Sequence, residues 1–290
     1  MSFKDLPIMP DKKKGVLLFY PYVSKKSANN IKKKLSGRWL GQGPMVDKFE
    51  NDFKKKFAKN YSVVATGSGT DSLHLAYILA GLKKGDEVIT TIFTCTATNI
   101  PMLYMDLKIK FADVDRNTMN ISVESIKKLI TKKTKAIVVV HYGGLPCDMD
   151  EIKSIAKKNK LILIEDAAHA LGARYNNKPI GSLCDFSTFS FQAIKHFTTG
   201  DGGILTIKNK KLAEKAKRIR WFGIDRKKKQ QGIWKNDVYE VGYKYQMTDI
   251  AATMGCDSIN EFNKIINHRK KIYNIYLEEL WNNKKIQCVH

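Results

Sequence analysis

The chain has 290 residues, of which 43% are hydrophobic and 27% charged, the proportions of an ordinary globular protein with a sizeable core. Its formal net charge is +23, yet only seven of its basic residues are arginine and the lysines are spread along the whole chain. That pattern lacks the clustered, arginine-rich signature of a nucleic-acid site, and no apolar run approaches the roughly 20 residues needed to span a bilayer.

Short β-branched apolar runs alternate with longer helix-like segments. In chain order, a helix is predicted at about 45–58, a strand at "YSVVAT", a helix at 70–80, a strand at "DEVITT" and a helix at 96–105. Strands at "IKFADV", "KAIVVVHY", "KLILIED", "FSTFSF" and "GILTI" follow, separated by helices at 123–130, 149–158 and 211–221. This alternation predicts a mainly parallel sheet with helices on both faces. The last segment, "DSINEFNKIINHRKKIYNIYLEELW", reads as one long helix with Ile259, Phe262, Ile265, Ile266, Ile272, Tyr273, Ile275 and Tyr276 on an apolar face. The N-terminal "MSFKDLPIMPDKKKG" carries early charge without an apolar core, so no secretory signal is read and a cytoplasmic location is expected. Cys95, Cys147, Cys184, Cys256 and Cys288 are odd in number and contain no C-x-x-C pair; they read as small hydrophobes in a reducing compartment, with no metal site expected.

Three stretches could carry chemistry. "VVATGSGTDSLHLAY" passes from a strand through a small polar turn into a helix, which aims free N–H groups at whatever lies over the turn, a natural phosphate site. An ordinary helix capped by Ser68 or Thr70 reads equally well. "KLILIEDAAHALGA" delivers Glu165 and Asp166 at a strand end, where open α/β sheets place ligands; Asp166 is the favoured ligand residue, and an N-cap is the plain alternative. His169 follows at helical spacing. In "FSFQAIKHFTTGDGG" an apolar strand leads into Lys195. A phosphate turn, a strand-end acid and such a lysine are the parts pyridoxal phosphate requires: a Schiff-base amine, a partner for the pyridine nitrogen and a phosphate cup. Burial beside the apolar strand would lower the lysine pKa from its usual 10.4 or so.

Taken together, "SGRWLGQGPMVDKFE", "ATGSGTDSLHLAY", "TIFTCTATNI", "IEDAAHALGA", "FSFQAIKHFTTGDGG" and "GYKYQMTDIAATMG" resemble, in order, the DegT/DnrJ/EryC1/StrS sugar aminotransferases, over nearly all of the chain. The resemblance implies the fold-type I architecture of pyridoxal-phosphate enzymes, a mostly parallel central sheet flanked by helices. It implies a large cofactor-binding domain over 1–245, with 246–290 leading into a small C-terminal domain that is expected to be largely absent.

By the same resemblance Lys195 is the Schiff-base lysine, Asp166 the partner of the pyridine nitrogen, and His169 lies near the ring; these three are the catalytic candidates. Ser190, with Gly69, Thr70 and Asp71, would hold the phosphate, and Phe93 would stack on the ring. Where the family has "GYNYRM", this chain has "GYKYQM", so Lys244 in place of Asn would reach the phosphate of the neighbouring subunit in a homodimer with shared sites. "GDGG" at 200–203 replaces the usual "GEGG". Relatives that dehydrate sugars carry His at the lysine position; here His196 is next to Lys195, and transamination is implied. The expected substrates are L-glutamate and a nucleotide-linked 4-keto-6-deoxyhexose, giving an amino sugar for glycan synthesis, without nucleic-acid or membrane partners. The alternatives are a 3-keto acceptor, or a cofactor-binding homologue whose catalysis is impaired.

Overall fold

The computed structural model describes residues 19–232, 238–283, 285 and 286. Helices α1 (Lys25–Leu35) and α2 (Pro44–Phe57) precede β1 (Ser62–Thr66) and α3 (Gly69–Leu79). Then come β2 (Glu87–Thr91), α4 (Thr96–Tyr104), β3 (Lys108–Ala112), α5 (Val123–Leu129), β4 (Thr134–Val140), α6 (Met149–Lys158) and β5 (Ile162–Asp166). A two-stranded hairpin, β6 (Arg174–Tyr175) and β7 (Lys178–Pro179), leads to β8 (Phe186–Ser190) and β9 (Gly203–Ile207). Helices α7 (Ala213–Ile219), α8 (Arg226–Gln230) and α9 (Asp249–Leu280) complete the order.

The seven-stranded sheet runs β1-β9-β8-β5-β4-β2-β3. Only β9 pairs antiparallel, with β1 on one side and β8 on the other, so the other six strands share one direction and end along one edge. Alternate strand residues supply two cores. Ile137, Val139 and Leu163 face Phe49, Phe53, Ile152 and Phe262, from α2, α6 and α9. Ala136, Val138 and Ile164 face Leu75, Tyr77, Met102 and Ile219, from α3, α4 and α7. Burial on both faces is why these strands read as continuous apolar runs.

Helix α9 begins at Asp249, earlier than its apolar pattern indicated, because Gly255 weakens the helical signal there. That glycine is required: a Cβ on it would lie 2.5 Å from the Phe49 ring of α2. The first turn of α9 also caps its neighbour. Gly43 has no side chain with which to cap α2, and the buried Asp249 carboxylate accepts the N–H groups of Gly43, Met45 and Val46 at 2.7, 3.2 and 3.1 Å. Helix α1, whose Ala28, Ile31 and Leu35 stand at helical spacing within a strongly polar stretch, and the short α8 lie outside the predicted elements.

Candidate active site

The shared edge of the six co-directional strands gathers the turn after β1, the ends of β5 and β8 and the loop after β2. At the turn, Ser68 caps α3, its Oγ accepting the Asp71 N–H at 3.0 Å. The Asp71 carboxylate returns to the backbone N–H groups of Ser68 and Gly67, a reciprocal capping box. Burial nevertheless pushes Asp71 up to about 6, with the nearby Asp201 carboxylate adding to the rise. The capping alternative is therefore realised by Ser68, while the N–H groups of Gly69 and Thr70 start the helix facing the strand ends. Gly69 lies so close to β8 that a Cβ there would sit 2.8 Å from Ser190 Cβ and 3.3 Å from its hydroxyl oxygen. The Ser190 hydroxyl and the positive end of α3 thus form one cup.

Strand alternation separates the two carboxylates of β5. Glu165 is fully buried on the α2/α6/α9 side, where it pairs with Ser187 Oγ and with His141 Nε2 at 3.3 Å. His141 Nδ1 accepts the Cys147 N–H at 3.1 Å, so its proton sits on the nitrogen facing Glu165. Asp166 points to the opposite side and the sheet edge. One of its oxygens accepts the Thr98 hydroxyl at 2.7 Å and the other the Ala168 N–H at 3.1 Å. Thr98 in turn bonds Thr94 at 2.8 Å, and its carbonyl accepts the Tyr77 hydroxyl. One oxygen thus closes a local turn onto Ala168 while the other is tied to Thr98, 68 positions away.

Lys195 sits in the loop between β8 and β9. Phe191 and Phe197, before and after it in the chain, are buried and stack on each other with ring centroids 4.9 Å apart. Thr199 N–H and the Thr198 hydroxyl both bond the Phe191 carbonyl at 3.0 Å, closing the loop. Burial lowers the Lys195 pKa against the attraction of Asp166. It also lowers that of His169, with Lys195 adding its repulsion, which places these three groups within electrostatic reach of one another. His196 is pushed down to about 3 by burial and then by Arg269, His169 and Lys195, so its imidazole is neutral at physiological pH.

Phe93 packs on Tyr142 with ring centroids 4.5 Å apart, and Tyr142 meets His169 at 6.2 Å, forming an aromatic row at the same edge. Lys244 lies elsewhere: it is exposed, bridges in backbone pairing to Trp221, and holds its ammonium 5.1 Å from the Phe222 ring centre. Asp166, His169, Ser190, Lys195, Phe93 and the start of α3 thus gather at one sheet edge, while the Lys244 ammonium is turned to Phe222.

Two participants escaped sequence reasoning. Thr98 lies in the first turn of α4, and Thr94, just before that helix, bonds it from the loop after β2. Arg269 was not legible, because "NHRKK" looks like any charged helix surface; its Nη2 donates to the Lys195 carbonyl oxygen at 3.0 Å. No helix among the described residues is long and apolar enough to cross a membrane. No His, Cys, Asp and Glu group among them could hold a metal.

A parallel sheet with a helix-capped cup, a strand-end carboxylate and a partly buried lysine at its carboxyl edge defines a pyridoxal-phosphate-dependent aminotransferase of fold type I. The DegT/DnrJ/EryC1/StrS aminotransferase family model matches residues 21–290, and the chain belongs to that family. Among its relatives, an uncharacterised protein of Methanocaldococcus jannaschii is 41% identical over 268 residues, covering 91% of this chain and 69% of the relative. GDP-perosamine synthase of Escherichia coli O157:H7 is 34% identical over 268 residues, covering 92% and 72% respectively. A Streptococcus pneumoniae protein assigned as a sugar aminotransferase, solved in its PLP-form, superposes with a TM-score of 0.87 at 25% identity, covering 92% of this chain and 72% of its own.

Proposed function

We propose that this protein transfers the amino group of L-glutamate to the keto carbon of a nucleotide-linked 4-keto-6-deoxyhexose. The observation that carries this reading is the placement of Lys195, with its pKa lowered by burial, within reach of Asp166 beside the cup formed by α3 and Ser190. The choice of a 4-keto sugar rests on likeness to GDP-perosamine synthase.

The residues present fit pyridoxal phosphate. The close approach of Gly69 to Ser190 sets the hydroxyl beside the N-terminus of α3, a donor set suited to a phosphate, and Asp166 is held by Thr98 and Ala168. Gly69, Thr70, Asp71 and Ser190 would hold the phosphate, Phe93 and His169 would flank the ring, and Asp166 would face its nitrogen. When bound, the cofactor supplies an electron sink for the carbon bearing the amino group.

In this reading Lys195 Nζ accepts the proton from that carbon and delivers it back on the other side of the exchange, a role its lowered pKa favours. Asp166 would keep positive charge at the ring nitrogen of the bound cofactor. His169, also of lowered pKa, stays neutral near pH 7 and adds no second positive charge against Lys195. Lys244, outside its own chain's cup, would serve the phosphate of the partner subunit in a homodimer. In this reading 1–245 would be the cofactor-binding domain, with the stretch from 246 leading toward a smaller one.

The test is the absorption spectrum of purified protein with pyridoxal phosphate, before and after L-glutamate, then borohydride trapping and peptide mapping. A cofactor band abolished by glutamate and a label on Lys195 are expected. Lys195→Ala should remove both while circular dichroism stays native; substantial turnover in that variant would sink the assignment.

A further inference from the structure

The turn after β4, residues 142–145, lies beside the site. Gly143 and Gly144 line a cavity of about 510 Å³ together with His169 and Lys195, and Tyr142 stands between Phe93 and His169 in the aromatic row. Little in the turn itself holds that ring in place. Gly143 and Gly144 have φ of 59° and 92°, a region that glycine enters freely and can as easily leave. The N–H groups of Gly144 and Leu145 close the turn onto the His141 and Tyr142 carbonyls. The Tyr142 N–H and the Leu145 carbonyl are left to find partners outside it.

Both are served by one side chain from the loop after β3. Asn120 Oδ1 accepts the Tyr142 N–H at 3.0 Å, and Asn120 Nδ2 donates to the Leu145 carbonyl at 3.0 Å. A carboxamide carries the acceptor and the donor that these two ends require, whereas a carboxylate keeps only the acceptor. Asn120 is itself buried, and its backbone is fixed: its carbonyl accepts the Asp115 N–H at 2.8 Å and its N–H reaches the Thr118 hydroxyl at 3.3 Å. On its other side the turn meets the end of β5. The His141 N–H donates to the Asp166 carbonyl at 3.2 Å, and a Cβ on Gly144 would lie 2.7 Å from the His169 carbonyl oxygen. The turn is therefore clamped between Asn120 and the segment that carries Asp166 and His169.

We infer that Asn120 is a positioning residue for the cofactor ring: by clamping the 142–145 turn, it holds Tyr142 as the backing of Phe93 and His169. The inference rests on the aminotransferase reading and deepens it. Asn120 acts through the backbone of the turn and Tyr142 through its ring contacts, so neither handles a proton. Their contribution is to keep the flanking side chains in the arrangement that the bound ring meets.

Hydrogen exchange of the full-length, cofactor-free protein reads the clamp directly. In Asn120→Ala, exchange across 141–146 should quicken by about 10-fold or more, as expected when a turn loses two hydrogen bonds, while far-ultraviolet circular dichroism stays native. Visible circular dichroism of bound pyridoxal phosphate reports how the ring is set. Asn120→Ala and Tyr142→Ala should each reduce that signal and weaken the cofactor by about 5- to 10-fold. Combining them should add little, because both act through one ring, and Tyr142→Phe should recover the signal that Tyr142→Ala loses. Faster exchange with an unchanged visible signal and affinity would make Asn120 merely structural and overturn the inference; so would unchanged exchange, or additive effects in the double variant. Borohydride labelling of Lys195 in the unsubstituted protein tests the aminotransferase reading separately; without that label the reading fails and the inference with it. Should Asn120→Ala misfold, Asn120→Asp, which loses the donor to Leu145, must shift exchange and the visible signal in the same direction, and no change in either would overturn the inference equally.

Discussion

At the residue scale, the site depends on groups that orient its chemistry from behind. Thr98 donates to Asp166 at 2.7 Å, so Thr98→Val should leave the fold intact while weakening pyridoxal phosphate by about 5- to 10-fold, the worth of one hydrogen bond to a charged acceptor. Fluorescence titration of the cofactor measures this. Asp71 offers a pH signature. Its carboxyl, ordinarily near 3.8, is raised to about 6 in the fold, so the folded chain binds that proton more tightly than the unfolded one. The resulting stabilisation is complete below about pH 4 and is lost as pH rises through 6. Asp71→Asn should therefore flatten the fall in urea midpoint between pH 4 and 6; an unchanged slope would show that other groups carry it. How much of this was readable varies by residue. Choosing Asp166 over Glu165 follows from period-two alternation, because Ile164 and Asp166 share the α3/α4 side while Leu163 and Glu165 take the other. Lys195 could be picked from so many lysines only through the motif around it. The burial that lowers its pKa, and the Asp166 charge that opposes it, arise only where β5 and the 191–199 loop converge in three dimensions.

At the scale of elements, helix caps and buried ion pairs join distant parts of the chain. Asp249 is fully buried and serves three N–H groups of α2. Asp249→Ala should cost about 2–4 kcal/mol, as expected when buried donors lose a charged acceptor, measured as a lower urea midpoint. A loss below about 0.5 kcal/mol would show that water replaces the carboxylate. Glu50 and Arg220 form a second brace: Glu50 Oε1 accepts the Ala65 N–H at 2.9 Å and Arg220 Nη1 at 2.6 Å, while Arg220 also bonds the Ala65 carbonyl. The pair holds the end of β1 just before the Gly67 turn, linking core electrostatics to the cup. Strands and most helices were legible because each carries its own periodicity. These braces were not, since Asp249 and Gly43 lie 206 positions apart and Glu50 and Arg220 170 apart, and neither end has a local pattern.

At the scale of the whole molecule, the strand order explains why scattered motifs converge. With only β9 reversed, the segments following β1, β2, β5 and β8 all emerge at one edge, and a sequence carrying a motif after each strand assembles them without long loops. The net charge of +23 acts at the same scale. A general positive field should speed capture of phosphorylated ligands, so their association rate should fall as salt rises and the Debye length shrinks to about 10 Å at 0.1 M. Stopped-flow binding of pyridoxal phosphate across a salt series measures it, and a flat profile would mean that the lysines screen themselves.

The Asp249 cap also bears on synthesis. Helix α2 waits for a residue 206 positions downstream of Gly43; at translation rates of about 5–20 residues per second, that is roughly 10–40 s on the ribosome. Throughout that interval the apolar face of α2, with Phe49 and Phe53, lacks the α9 partner that covers it in the finished fold. The nascent chain therefore depends on late closure, and its vulnerability to aggregation is concentrated before residue 249 emerges.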